Sequence, residues 1–251
     1  MIEASFCFLP GVGLTTERRL WRQGLLTWCD FLSRPSIERI GAARKASYDK
    51  QVAQAIEEYA GHNSRHFAVV LPQGEHWRLY DWLRANTAYL DIETDSFGQI
   101  TVVGLYGRGR MTSFVRGESL DPRRLAEELR RYDLLVTFCG TTFDLPMLLS
   151  HYPDLPLDHP HFDVCLLGRR LGYRGGLKAI ERQFGIYREN TLDGMSGNDA
   201  VRCWNRWRHS RDEQAKALLV HYNQADCANL EPLAHTFYEL MVQSTRPSST
   251  A

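Results

Sequence analysis

The stretch Tyr89-Leu-Asp-Ile-Glu-Thr94 carries the strongest strand signal in the chain and two acids within it. Side chains alternate between the two faces of a strand, so Asp91 and Glu93 share one face while Leu90 and Ile92 point into a core. Like charges side by side at the end of a buried strand repel each other, and a divalent cation between them is the usual remedy. The alternative is that both acids lie on a solvated face.

Strand and helix signals alternate after this stretch. β-branched or aromatic runs predict further strands over 100–106 and 111–115, with a turn at Asp95-Ser-Phe-Gly98 before the first of them. Asp121-Pro122 predicts a helix start, and 134–138 is an apolar strand. Helical patterns then follow at 166–171, 177–184, 199–207 and 213–229. This order predicts an α/β fold in which helices flank a mixed β-sheet.

The chain is predicted to divide into three parts. Residues 1–60 form a small helical N-terminal region, 67–243 form the α/β domain, and the polar tail 244–251 is disordered. Pro232 is predicted to interrupt the last helix, because proline suits the start of a new one.

Composition excludes several classes of protein. The 251 residues contain 30 Lys+Arg and 30 Asp+Glu, so the net charge is zero. The protein as a whole therefore has no long-range electrostatic attraction for a polyanion. Hydrophobic residues at 43% argue against a disordered chain. No apolar run approaches the ~18 residues of a membrane span, and the N-terminus lacks the pattern of a signal peptide.

Cysteine and histidine spacings do not predict a zinc site. The six cysteines form no C-x-x-C pair and none has a histidine at zinc-finger spacing. Disulfides are unnecessary at this size, so we predict reduced thiols in a cytoplasmic protein. His159 and His161 lie in a loop without further ligands and are predicted to be solvated.

Two later acids occupy informative positions. Asp144 follows the strand 134–138 through a glycine-containing turn, where α/β folds present catalytic groups, although it could instead cap the next helix. Tyr222 and Asp226 are four residues apart on the apolar face of a helical pattern. An acid there is costly unless it is paired or bound to metal, and the alternative is a structural Asp bonded to nearby backbone.

Together these residues form an ordered set: Asp91-x-Glu93 on a strand, Asp144 after a later strand, and Tyr222-x-x-x-Asp226 on a late helix. The set resembles the DEDD superfamily of 3′→5′ exonucleases, which have a ribonuclease H-like fold, and its tyrosine-bearing subclass in particular. Residues 67–240 are more closely similar to the YprB-type ribonuclease H-like domain. The phrases that carry this similarity are Tyr89-Leu-Asp-Ile-Glu-Thr, Phe143-Asp-Leu-Pro, His161-Phe-Asp, Leu177-Lys-Ala-Ile-Glu, Phe184-Gly-Ile and Tyr222-Asn.

The resemblance implies a chemistry. The four acids would hold two Mg²⁺ or Mn²⁺ ions, one activating a water and the other stabilising the leaving 3′ oxygen, while Tyr222 orients the water. Oxygen-only ligands suit these hard metals and argue against zinc. The implied enzyme is a 3′→5′ exonuclease acting on single-stranded ends of DNA or RNA. A nucleic-acid-binding module without turnover is the alternative, and an endonuclease of the same fold is a third possibility.

One motif departs from the family pattern. The DEDD superfamily usually has Asn before the glycine of its second motif, whereas this chain has Cys139-Gly140. That Asn tends to contact substrate, so Cys139 bears on substrate handling more than on metal binding. Asp163 is a supporting or structural candidate, because the four-acid set is complete without it.

A basic segment precedes the Tyr222/Asp226 helix. Between residues 165 and 211 there are ten Lys+Arg and four acids, a local excess of 10 − 4 = +6. Trp204 and Trp207 alternate with arginines there, as in a groove that stacks bases and follows phosphates. The alternative is an amphipathic helix with both indoles in the core. The arginines concerned are Arg202, Arg206 and Arg208.

The N-terminal phrase from Pro10 resembles the hairpin of a helix-hairpin-helix motif, in which the amides of Gly11 and Gly13 would contact a phosphate. The alternative is an ordinary helix capped by Thr15 or Thr16.

Overall fold

A computed structural model describes residues 1–245, and within them five strands form one mixed sheet of order β3-β2-β1-β4-β5. The strands β1, β2 and β3 pair antiparallel, whereas β1, β4 and β5 pair parallel. The predicted mixed sheet flanked by helices is confirmed. The strand bounds are β1 Thr87–Thr94, β2 Ile100–Gly107, β3 Arg110–Val115, β4 Leu134–Thr137 and β5 His161–Asp163.

Helices cover both faces of this sheet. One face of β1 packs Leu90 and Ile92 against helices α6 and α7, and the other face lies under the long helix α11. The helices are α1 Leu14–Arg22, α2 Trp28–Ser33, α3 Ala42–Ala60, α4 Ser64–Val70, α5 Tyr80–Leu83, α6 Pro122–Leu129, α7 Asp144–His151, α8 Val164–Arg170, α9 Leu177–Gln183, α10 Gly197–Ser210 and α11 Glu213–Thr245, with 3₁₀ turns at Ile2–Ala4, Gln73–Leu79 and Arg84–Asn86.

The prediction that Pro232 interrupts the last helix is wrong, because α11 runs through it without a break. Proline removes one backbone donor and costs the helix stability. The residues on either side, Leu230, Leu233, Ala234 and Phe237, are fully buried, and their burial outweighs that cost. Ser244 and Thr245 still belong to α11, contrary to the predicted disordered tail, whose residues 246–251 lie outside the described part of the chain.

The N-terminal helices share a hydrophobic cluster with the sheet domain, in which Trp28 and Phe67 lie together with Phe237 of α11. The helix α1 begins at Leu14 with Gly13 as its N-cap, so neither threonine caps it. The division of the chain near residue 60 stays a prediction. Within residues 1–245 no helix has the length and apolar character needed to cross a bilayer.

Two predictions about cysteines and histidines are wrong. Cys139 and Cys165 form a disulfide with their Cα atoms 5.1 Å apart, whereas all thiols were expected to be reduced. His159 and His161 are buried, and each bonds a polar neighbour: the Leu129 carbonyl for His159, the Thr137 hydroxyl for His161. Burial lowers the pKa of both rings to about 4, so they are neutral core residues.

Candidate active site

Three of the predicted acids meet where α11 crosses β1. Asp91 and Glu93 point to the same face of the strand, as the alternation predicts, and Asp226 faces them from the helix. Each offers a carboxylate oxygen, and these oxygens all lie within 4.8 Å of one another. The solvated-face alternative does not describe the pair, because Glu93 is 8% exposed and burial dominates the pKa of Asp91.

Asp144 lies next to this group but outside it. It is the first residue of α7, and its Oδ1 accepts a hydrogen bond from the backbone N–H of Ile92 at 3.1 Å. The carboxylate is therefore anchored between the two strand acids, and it is not a cap of its own helix. Asp144 is 3% exposed, so the fourth acid is buried beside the other three.

The close approach of α11 to β1 depends on Gly104. This residue pairs with Asp91 across the β1–β2 ladder, and a Cβ atom there would lie 2.1 Å from Oδ1 of Asn223. Without that atom, Asn223 reaches past β2 and donates its Nδ2 to Oδ2 of Asp91 at 2.8 Å. Because Gly104 has no side chain, the amide of Asn223 can pass it and orient Asp91 on the neighbouring strand.

Burial and mutual repulsion raise the pKa of every carboxylate in the cluster. Desolvation raises the pKa of Asp91 well above its ordinary range, and the charges of Asp226 and Glu93 add to this. Desolvation first, then Asp226, raises the pKa of Glu93 to about 8. Desolvation also raises the pKa of Asp144 to about 7 and that of Asp226, despite an opposing cation beside the latter. The cluster therefore needs positive charge to be fully ionised at neutral pH.

Two cations from the segment that follows α8 supply part of that charge. Lys178 donates its Nζ to the hydroxyl of Tyr222 at 2.8 Å and also to the carbonyl of Met195. Arg188 forms ion pairs with Asp226 and with the buried carboxylate of Glu181. Tyr222 itself is 6% exposed, and its ring lies under Lys178 at 4.3 Å.

The donor set fits hard divalent cations. All four candidate ligands are carboxylates, and the three that converge are close enough to share an ion. No histidine or cysteine belongs to that group within residues 1–245, which argues against zinc.

A family model described as RNase_H superfamily matches residues 88–238, which is more than half of the chain. The chain belongs to the ribonuclease H superfamily. Proteins of this superfamily are generally nucleases that act on nucleic acid and use divalent metal ions. The matched span contains the four clustered acids and Tyr222. No curated protein matches the chain.

Asp163 of this ribonuclease H-like chain has a structural role. Its carboxylate accepts hydrogen bonds from four backbone N–H groups at 3.0–3.2 Å: those of Cys139, Thr141, Cys165 and Leu166. One side chain therefore caps α8 and fixes the loop that leads to Asp144. The same contacts bring Cys139 beside Cys165, with which it forms the disulfide.

The indoles of α10 are not available for stacking on bases. Trp204 and Trp207 are 2% and 4% exposed and pack with Leu219 of α11, so the core alternative describes them. The arginines beside them are at the surface. Arg202 pairs with Asp199 and Arg206 with Asp212, both with exposed guanidinium groups.

The glycines of the N-terminal phrase lie at the surface, away from any preceding α-helix. Gly11 has a φ of 77° and Gly13 is the N-cap of α1, and both are exposed. Within residues 1–245, the element that comes before them is the 3₁₀ turn Ile2–Ala4. Glu17 of α1 is buried instead, where it pairs with Arg78 at 2.8 Å.

Three residues that contact the acids or Tyr222 were missed from the sequence. Asn223 and Lys178 both occur in the phrases that carry the family resemblance, directly beside Tyr222 and Leu177. Arg188 was counted only as part of a basic segment. Its neighbour in the site, Asp226, is 38 residues away along the chain, so no local spacing could pair them.

Proposed function

We propose that this protein is a metal-dependent nuclease that removes nucleotides from the 3′ ends of single-stranded nucleic acid. The observation that carries the proposal is the meeting of Asp91, Glu93 and Asp226 within 4.8 Å, with Asp144 anchored beside them. Burying four carboxylates together is unfavourable unless cations neutralise them. Hydrolysis of phosphodiesters by two metals requires this kind of oxygen cage.

Asp91, Glu93, Asp144 and Asp226 would hold two Mg²⁺ or Mn²⁺ ions. When bound, the ions supply an activated water and stabilise the leaving 3′ oxygen. The chain's own contribution is the geometry of the cage: Asn223 orients Asp91, and the Ile92 amide orients Asp144.

Tyr222 is suited to position a water rather than to deprotonate it. Burial, with the nearby Asp226, raises the pKa of its hydroxyl above the ordinary value, so the proton stays on the oxygen. Lys178 donates to that oxygen and leaves the hydroxyl proton available for an acceptor in the site. The direction of attack, from the 3′ end, rests on the tyrosine-bearing acid set that resembles the DEDD exonucleases.

Exposed aromatic side chains support a single-stranded substrate. Phe97, in the turn that follows Glu93, is 84% exposed, and Phe143 directly precedes Asp144 and is 44% exposed. Unpaired bases stack on such side chains without regard to sequence. The exposed Arg202, Arg206 and Arg208 of α10 would contact phosphates, as would the Gly11 and Gly13 amides.

The test is a cleavage assay with 5′-labelled single- and double-stranded DNA and RNA in Mg²⁺ or Mn²⁺. We expect single strands to shorten by one nucleotide at a time, circular single strands to stay intact, and Asp91→Ala to abolish cleavage. Asp158→Ala is the matched control, because this acid is exposed and pairs with the surface residue Arg65. Activity that survives Asp91→Ala contradicts the site, and binding without turnover selects the non-hydrolytic module.

A further inference from the structure

Arg188 is a buried cation with an unused donor at the edge of the acid cluster. Its side chain is 5% exposed, and Nη1 has no hydrogen-bond partner within residues 1–245. A buried guanidinium N–H without a partner is unfavourable, and such groups in native proteins commonly face a ligand or a water.

The guanidinium has two forks, and only one of them is fully occupied. Nε and Nη2 donate to the two oxygens of Glu181 at 2.8 and 2.6 Å, a bidentate pair that fixes the plane of the group. Glu181 is 1% exposed and also accepts from Asn229 at 3.0 Å. The anchor that aims Arg188 is therefore itself rigid.

The second fork, Nη1 and Nη2, faces the acid cluster. Nη2 bonds Glu181 and also forms the ion pair with Oδ1 of Asp226, whereas Nη1 contacts no acceptor within residues 1–245. One donor of this fork is therefore unused. An anionic oxygen of a ligand would accept from it, while a metal ion would bind Asp226.

We propose that Arg188 is a phosphate-binding residue of this site. Its second fork, Nη1 and Nη2, donates hydrogen bonds to a non-bridging phosphate oxygen of the bound strand. This inference rests on the proposed nuclease function. A planar fork with fixed donors matches phosphate geometry, which a point charge such as lysine cannot reproduce. Asp226 holds the guanidinium in place until metal and substrate arrive, and the Glu181 anchor stays in place throughout.

The test compares wild-type protein with Arg188→Gln and Arg188→Lys in two binding experiments. The first titrates thymidine 5′-monophosphate in Ca²⁺, and the second titrates Mn²⁺ alone by electron paramagnetic resonance. For Arg188→Gln we expect phosphate affinity to fall by at least about tenfold, as for a lost charge-assisted hydrogen bond. Mn²⁺ affinity should hold or rise, because a cation beside Asp226 is gone. The phosphate affinity of Arg188→Lys should lie between those of the wild type and Arg188→Gln.

Two controls keep the outcomes separate. Arg182→Gln removes an exposed arginine of α9 that pairs with Asp193, and we expect no change. Arg188→Gln leaves Glu181 buried without its cation, which could prevent folding. In that case the double variant Glu181→Gln with Arg188→Gln replaces the single variant in both titrations.

Parallel losses of phosphate and metal affinity would show that Arg188 only positions Asp226, and unchanged phosphate affinity would overturn the proposal outright. If the wild type cleaves single strands and Arg188→Gln binds phosphate normally, the proposed nuclease function stands and only the role of Arg188 is refuted. Wild-type protein that neither cleaves nor binds the nucleotide removes both.

Discussion

The side-chain amide of Asn223 lies 2.8 Å from Oδ2 of Asp91 and 3.1 Å from the backbone oxygen of the same residue. One amide thus holds the first acid of the cluster at two points. Loss of a group that orients a metal ligand in this way commonly weakens metal affinity by about 10–100-fold.

Replacing Asn223 with Ala should therefore weaken metal binding and cleavage by about 10–100-fold while the fold persists. Calorimetric titration with Mn²⁺ checks the affinity, and circular dichroism checks the fold. Gln224→Ala is the matched control, because its amide bonds the hydroxyl of Ser113 on β3 rather than an acid of the cluster. Metal affinity equal to wild type in Asn223→Ala would show that Asp91 needs no such support.

Replacing Glu93 with Gln should stabilise the metal-free protein and change its pH dependence. The pKa of Glu93 is raised to about 8 from an ordinary value of 4.5, so the folded state keeps a proton that the unfolded chain releases. Stability from this group is therefore present at low pH and is lost as pH rises from about 4.5 to 8. The substitution Glu93→Gln should remove this pH-dependent loss of stability, and it should also abolish cleavage.

Urea unfolding in EDTA at pH 5 and pH 8 measures the effect. We expect the variant's advantage in unfolding free energy to grow by about 2 kcal/mol or more between these values. Saturating Mg²⁺ should reverse the order by stabilising only the wild type. Parallel pH profiles for the two proteins would mean that Glu93 is ionised in the folded state throughout.

Replacing Gly104 with Ala should disrupt the packing of α11 on β2. The added Cβ would lie 2.1 Å from Oδ1 of Asn223 and 2.7 Å from Sγ of Cys227. Overpacking of this kind costs about 1–3 kcal/mol, and it would also pull Asn223 from Asp91. Urea unfolding checks the stability. Gly74→Ala is the control, since nothing lies within 4 Å of its added carbon, and equal stabilities would show that the helix can shift freely.

Replacing Arg202, Arg206 and Arg208 together with Gln should weaken binding of single strands without affecting stability, because all three are exposed. If each contacts one phosphate, the slope of log affinity against log salt should fall by about 2, at about 0.7 for each contact. Fluorescence anisotropy at several salt concentrations measures it. A variant with the exposed Arg123, Arg124 and Arg130 changed to Gln removes the same net charge, and an equal loss there would assign the effect to charge alone.

The sequence predicts the elements with regular periodicity and the acids that lie on them. Period-2 alternation places Asp91 and Glu93 on one face, and the turn after 134–138 leads to Asp144, much as the structure has them. The contacts of Asn223 and Arg188 depend on which helix crosses which strand, and no local pattern encodes that. The uninterrupted α11 and the buried Trp204 have the same origin, because tertiary burial outweighs local propensity.

The helix α11 has 33 residues and is about 50 Å long, and it contributes to two separate regions of the protein. Its first half carries Asp226, while Tyr238 in its second half contacts Met1, Trp77 and Tyr80. The helix continues through Pro232 without a break, so it connects the two regions directly. We therefore expect the N-terminal helices and the acid cluster to unfold together, and a fragment lacking residues 1–60 to lose the arrangement of the four acids although it keeps all of them.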